Sequence, residues 1–565
     1  MRNILLFLLL LCGISSVFSQ SYPTKEQEII EQRGELYFSF DLSNSYSLQT
    51  LSSIISIDKI ENNQVYAYAN TNEFYRFKEL NISYQIEIEE YLLSPPIMAS
   101  SMAFFMQSWD AYPTYSQYDS LMHKLANDYP DLCHYHNLGT LASGRKILAL
   151  QLGDSVNVKQ RQVRLFYTSS MHGNELTGYV LMLRLADYLL SNYGQNALVD
   201  SLMNNVEIWI NPLANPDGAY QSDDNSLSNA TRYNANNVNL NRNFPDPEDG
   251  QHPDGNSWQA ETQYFMDFAD SVHFTMAANF HDGNEVVNYP WDTWAKLSAD
   301  DEWWKYISHQ YADTVHAYGP SNYFLGPAAA NGSGVVNGYQ WYTISGGRQD
   351  YMNYYHQCRE LTVELSSTKI PNANKLPHFW NYNYRSLLNY INQVRFGLRG
   401  VVRDSVSTKP IIAQVYINSH DKDSSQVYSH MPYGDYYRLL DSGYYSLTFS
   451  ADHYYSKTID SVLILRDKIV NMNVDLAPDY TALKNKPQQY SHIFPNPVLN
   501  NLFIEASKSI ADVELYSLEG KLILKQSMFN VKKTQIRLVG VEQGLYFIRI
   551  EFEDGNVEIQ KLIIQ

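Results

Sequence analysis

His172 and Glu175 stand three residues apart in SSMHGNELTG, residues 169–178, where an apolar run (VRLFYT) gives way to a helix-like run (YVLMLRLADYLL). An imidazole and a carboxylate at this spacing on a turn can converge on one cation. A catalytic zinc takes three such protein ligands and leaves a fourth position for water. The pair alone is a common chance pattern, so the third ligand has to be found elsewhere. His281 is the best candidate, a lone histidine closing the apolar run FTMAANFH. Cysteine does not supply the site. Cys12 sits in the leader, and Cys133 and Cys358 could bridge but form no disulfide framework. A metal here is held by histidine and carboxylate.

The elements that must position these residues follow from the pattern along the chain. At 565 residues the chain is too long for one core, and 44% hydrophobic with 18% charged residues is globular rather than disordered. A net charge of −19 argues against nucleic acid and anionic membranes as partners. Residues 1–19 read as a secretory signal peptide: one Arg, an apolar stretch, then small residues. Leu11 before Cys12 is too bulky for lipid processing, and no later stretch is long enough to span a membrane.

Residues 20–98 form a small α+β unit, a candidate propeptide. SIISIDKI, QVYAYAN and YQIEIEE read as strands and NEFYRFKEL as a helix, before the linker LLSPPIMASS. Over 109–396 the short strands KILALQL, QVRLFYT, VEIWINP and FTMAANFH alternate with helix-length segments, which predicts an α/β domain with a mixed sheet flanked by helices. Such sheets bind ligands beyond the carboxyl ends of their strands, where His172 and His281 fall. From residue 397 only short strands remain. They predict two small all-β sandwich domains, 397–478 and 490–565, separated by the polar linker DYTALKNKPQQYSH.

Seven stretches in order, GTLASGRKILAL, SSMHGNELTG, INPLANPDG, RYNANNVNLNRNFP, NFHDGNEVVNYPWD, NGYQWYTISGGRQDY and LTVELSSTKIP, resemble the zinc metallocarboxypeptidases of the branch containing carboxypeptidases E, N, M and D. The resemblance covers residues 109–396 and implies a peptidase holding one Zn²⁺ on His172, Glu175 and His281. It implies Glu364 as general base, Arg232 as oxyanion stabiliser, and Asn241 and Arg242 as the grip on the substrate's terminal carboxylate. Tyr342 would close over the substrate. Asp292 and Gln349 would line the pocket for the last side chain, an acidic wall and an amide suited to Lys or Arg. Residues 397–478 resemble the transthyretin-like domain of this branch. Residues 490–565 resemble the sorting domain of the type IX secretion system, which implies that machinery as a partner and a secreted or cell-surface location.

Two departures from the family pattern stand out. Asn239 replaces the Asp that normally accepts a hydrogen bond from a zinc-binding His, and Asp282 replaces a Gly after His281. The expected function is a secreted zinc carboxypeptidase acting on peptide or protein C-termini and releasing Lys or Arg. Its rivals are an enzyme acting on cell-wall peptides and a catalytically weak surface binding protein.

Overall fold

The computed structural model describes residues 24–42, 46–154, 156–158, 160–479, 490–518 and 520–565. The expected signal peptide and most of the linker before residue 490 lie outside them. The chain divides into two compact units, one reaching to Leu476 and one made mainly of residues 477–565.

An eight-stranded mixed sheet forms the centre of the first unit. Its order is Val335–Asn337, Asn284–Tyr289, Arg359–Ser366, Met276–His281, Val163–Ser169, Val206–Asn211, Lys146–Leu152, Cys133–Thr140. The four central strands, from Arg359–Ser366 to Val206–Asn211, run parallel, so their carboxyl ends share one edge. Register sets Glu364 opposite His281, and Ser169 opposite Phe280.

The central strands are buried on both faces, and their alternation decides which helices each face meets. Tyr167 stacks near Tyr390 of helix Leu376–Gln393 and donates its hydroxyl to the Leu387 carbonyl. Its neighbour Phe166 faces the other way, against Phe268 of helix Ala260–Val272. Two apolar cores result, one on each side of the sheet.

Before this domain, strands Leu36–Asp41, Ser56–Glu61, Gln64–Ala69 and Gln85–Ile86 form an antiparallel sheet with Ser56–Glu61 at its edge. Helices Lys25–Arg33 and Thr71–Glu79 begin with capping boxes at Thr24 and Asn70. Phe38, Phe40, Phe74 and Phe77 form a core belonging to this segment. The first strand, in GELYFSF, is an element that the expected strand-strand-helix-strand outline lacks. The last expected strand shrinks to two paired residues.

After Phe396, eight short strands make two four-stranded sheets. They are joined to the α/β domain by a buried ion network, in which Asp300 meets Arg359 (2.8 Å) and Arg438 (2.9 Å), and Arg438 meets Asp421 (2.6 Å). Removing one member would strand the others in low dielectric, at about 3–5 kcal/mol. The second unit holds five antiparallel strands in one bulged sheet, from Ser491–Phe494 to Val557–Ile564, around Ile504, Val513, Ile548 and Leu562. No helix among the described residues is long and apolar enough to cross a membrane.

Candidate active site

His172 and Glu175 lie on the turn between strand Val163–Ser169 and helix Thr177–Asn192. The turn is tight because Gly173 packs directly on the Gly218 backbone, where a Cβ would overlap it. Asp282 accepts from the Thr177 amide (2.8 Å), satisfying a free N–H at the start of that helix. The added acid after His281 is therefore a helix cap. Burial raises its carboxyl well above the usual range.

His281 ends its strand beside the turn. Its Nδ1 lies 2.7 Å from Glu175 Oε2 and 3.1 Å from His172 Nδ1, and His172 Nδ1 lies 2.9 Å from Glu175 Oε1. All three ligand atoms fall within 4.8 Å of one another. The far nitrogen of each imidazole is also held: His172 Nε2 meets Asn239 Oδ1 (3.1 Å) and His281 Nε2 meets Asn279 (2.8 Å). Burial, followed for His172 by the Arg232 charge, pushes both histidines down, towards the neutral form that a metal ligand takes. Burial works against the Glu175 charge, yet His172, Lys369 and His281 hold its carboxyl well below the usual range. Two neutral imidazoles and one ionised carboxylate, oriented from behind, are a donor set that fits Zn²⁺.

Around this cluster the other expected residues gather. His172, His281, Arg232, Asn241, Arg242, Tyr342, Asp292 and Glu364 line one cleft together with Asn288, Trp341, Ile344 and Thr362. Glu364 Oε2 is buried without a hydrogen-bond partner. Burial, then the Glu175 charge, pushes the Glu364 carboxyl up to about 8. Arg232 donates to Glu175 Oε1 at 2.7 Å. Arg242 donates to the Asn241 carbonyl (2.7 Å), and no carboxylate pairs with its guanidinium among the described residues. That leaves a planar fork available inside the cleft.

Asp292 stands on the cleft wall. Its Oδ1 accepts from Asn288 Nδ2 (2.9 Å), and its own amide donates to the Asp350 carboxylate (3.0 and 3.1 Å). Burial raises the Asp292 carboxyl to about 6, against the pull of Asn288 and Arg242. Asp350 is raised well above the usual range by burial and then by Asp292. The helix carrying Asp350, Arg348–Tyr355, is fixed to the sheet by a fully buried two-point pair, Arg348 to Glu360 at 3.0 and 2.7 Å.

Gln349 departs from expectation. It lies buried on that helix, does not line the cleft, and neither amide atom has a partner. Its neighbour Arg348 points to Glu360, and its own carbonyl accepts from Asn353. Asn288 and Thr362, paired across two strands, stand on the cleft wall instead.

Lys369 went unremarked in the sequence. Its ammonium donates to Glu175 Oε1 (2.8 Å) and to the Asp282 carbonyl, and pairs with Asp58 (2.5 Å). The one available signal is its place five residues after Glu364, in a loop whose carbonyl bonds back to the metal turn, Leu176 N to Lys369 O at 3.1 Å.

Residues 118–386 match a family model described as zinc carboxypeptidase, and residues 492–565 match one described as a secretion system C-terminal sorting domain. Carboxypeptidase M of Mus musculus is 34% identical over 358 residues, covering 60% of this chain and 78% of that protein. Carboxypeptidase D of Homo sapiens is 33% identical over 384 residues, covering 65% of this chain. That match spans only 27% of the human protein's length.

Proposed function

The chain belongs to the zinc carboxypeptidase family, and we propose that it hydrolyses the last peptide bond of peptides or proteins and releases a C-terminal Lys or Arg. The observation that carries the finer reading is the buried Asp292 carboxylate on the cleft wall, with an unpartnered Asn288 Oδ1 beside it. A cationic side chain reaching this wall meets one charge and one acceptor. An apolar side chain leaves both unsatisfied, which is costly in a dry pocket.

His172, Glu175 and His281 would hold one Zn²⁺, which when bound supplies a Lewis acid that polarises the scissile carbonyl and makes water more acidic. Arg242 and Asn241 take the terminal carboxylate, which restricts cleavage to the chain end. Arg232 stabilises the oxyanion that develops on the former carbonyl oxygen. Glu364 accepts the proton of the attacking water and returns it to the leaving amine. Its apolar strand raises its proton affinity, which suits a base that must keep the proton until the bond breaks. Tyr342 donates a hydrogen bond over the bound substrate. The C-terminal unit serves as an address that carries the protein to the cell surface or the medium.

A panel of peptides differing only in the last residue tests this reading. Arg and Lys peptides should be cleaved and the Leu peptide much less. Equal rates on all of them would remove the pocket assignment, and hydrolysis only of peptides ending in a diamino acid with a second carboxylate would favour cell-wall substrates. Zinc binding without hydrolysis of any peptide would favour the surface binding protein.

A further inference from the structure

Asp350 does not serve its own helix. It stands in the first turn of Arg348–Tyr355, where an acid often meets free amides of the helix start. Yet every hydrogen bond it accepts among the described residues comes from the loop that carries Asp292. Its Oδ2 accepts from the Asp292 amide (3.0 Å) and the Thr293 amide (2.8 Å), and its Oδ1 from the Asp292 amide (3.1 Å). A second acid holds the same loop. Asp246 Oδ1 accepts from the Thr293 hydroxyl (3.2 Å), and its Oδ2 from the amide of Gly346, in the turn that leads into the helix (2.9 Å). Asp350 and Asp246 are both buried.

The same helix start reaches the grip on the substrate's terminal carboxylate. The Arg348 amide donates to Asn241 Oδ1 (3.0 Å), which leaves Asn241 Nδ2 to donate to a ligand. Gly347 stands close to both groups: a Cβ there would lie 3.6 Å from Asp292 Oδ2 and 3.7 Å from Asn241 Oδ1. The Arg348 side chain pins the turn to Glu360, on the strand that also carries Glu364. Asn241, Asp292 and Glu364 are thus tied to one another through a few buried bonds.

We propose that Asp350 is a positioning residue for specificity: it sets Asp292 at a fixed distance from Asn241, so that the terminal carboxylate and the basic side chain of one substrate residue are read together. The inference rests on the reading of Asp292 as the partner of that side chain. Both recognised groups belong to a single residue, so the spacing of their partners has to match the reach of a Lys or Arg side chain. Such a match tolerates displacements of only about 0.5 Å. Among the described residues, the Asp292 amide has no acceptor other than Asp350.

The role needs an acceptor rather than a charge. Oδ2 alone takes both loop amides, so a single amide oxygen in its place keeps both bonds. Burial, followed by Asp292, also raises the Asp350 carboxyl well above the usual range.

The test measures kcat and KM of the full chain on peptides that differ only in a final Arg or Leu. Asp350→Ala should lower kcat/KM on the Arg peptide by about tenfold or more, mainly through KM, with the Leu peptide nearly unchanged. Asp350→Asn should keep most of the Arg-to-Leu ratio. Thr293→Val removes only the hydroxyl bond to Asp246 and should lower the ratio by about threefold. Equal losses on both peptides in Asp350→Ala would overturn the proposal. Should that variant fail to fold, an unchanged ratio in Thr293→Val would do the same. A loss in Asp350→Asn as large as in Asp350→Ala would mean that Asp350 acts by charge and not by position. A wild-type chain without preference for Arg would sink the reading of Asp292 and the inference with it. A preference abolished by Asp292→Ala but intact in Asp350→Ala would sink the inference alone.

Discussion

Beside the cleft's two histidines, the buried Glu175 carboxylate lies among His172, His281, Arg232 and Lys369 and is held ionised. On the cleft wall, Asp292 lies near Asp350 and Asp246, and burial and crowding raise its carboxyl to about 6. Both groups are nearly inaccessible to solvent. The difference lies in the charges around them, because in low dielectric a neighbour's sign counts for more than the group's own chemistry. An ionised carboxylate surrounded by donors is ready for a cation that stays. A carboxylate crowded by its own kind, with Arg242 the main opposing charge, lacks a resident partner and gains one when a substrate's basic side chain arrives.

The contrast can be broken at each end. The largest effect is expected from Glu364→Gln, which removes the base and leaves the ligands: hydrolysis should fall by about 10²–10⁴-fold, while zinc content by atomic absorption stays at one per chain. Loss of zinc in a folded variant would show that Glu364 has another role. Next, Asp292→Ala should cost roughly 2–4 kcal/mol, some 30- to 1000-fold in kcat/KM, on Arg and Lys peptides and little on a Leu peptide. A uniform loss would mean that Asp292 shapes the cleft without reading the side chain.

Titration sharpens the same point. Asp292 binds a cation only when ionised, and its carboxyl is raised to about 6, so the preference for Arg over Leu should be full above pH 7 and decline as pH falls through 6. Below pH 6 the decline should be roughly tenfold per unit. Taking the ratio of the two peptides cancels the titration of Glu364 and of the metal centre. A flat ratio from pH 5 to 8 would contradict the assignment.

At the metal end, Asn239→Asp restores a charged acceptor behind His172, and zinc affinity in a chelator competition should rise by about tenfold. The smallest effect is expected from ending the chain at Asp479. The α/β and sandwich strands have cores of their own, so activity on the Arg peptide should be unchanged. In the native culture medium, mass spectrometry should find most molecules without residues 490–565.

Much of this was legible in the chain. The runs KILALQL and VRLFYT are strands at the expected places, Lys146–Leu152 and Val163–Ser169, because short, mainly apolar stretches flanked by turn residues are too short for a helix to use. Strand Asn284–Tyr289 was not legible. Its sequence NEVVNY is short and half polar, and it follows His281 after only two residues. With that strand went Asn288, whose importance comes from standing opposite Thr362 across a sheet. Strand Leu36–Asp41 was hidden in the same way, since it forms by pairing with Gln64–Ala69, a partner more than twenty residues on.

The sequence by itself determined the chemistry: which residue types can hold a metal, act as a base, or bind a carboxylate, and the order in which they occur. Those are covalent properties, and spacing along a turn or at a strand end preserves them. Only the tertiary structure decided how each group is charged and what it touches. It put Asn288 on the cleft wall and left Gln349 off it. It placed Lys369 between Glu175 and Asp58, residues 194 and 311 positions away in the chain. It also brought Ser56, at the head of strand Ser56–Glu61, onto the Arg232 guanidinium. Such arrangements depend on distances of a few ångströms between segments far apart in the chain, and no local pattern encodes them.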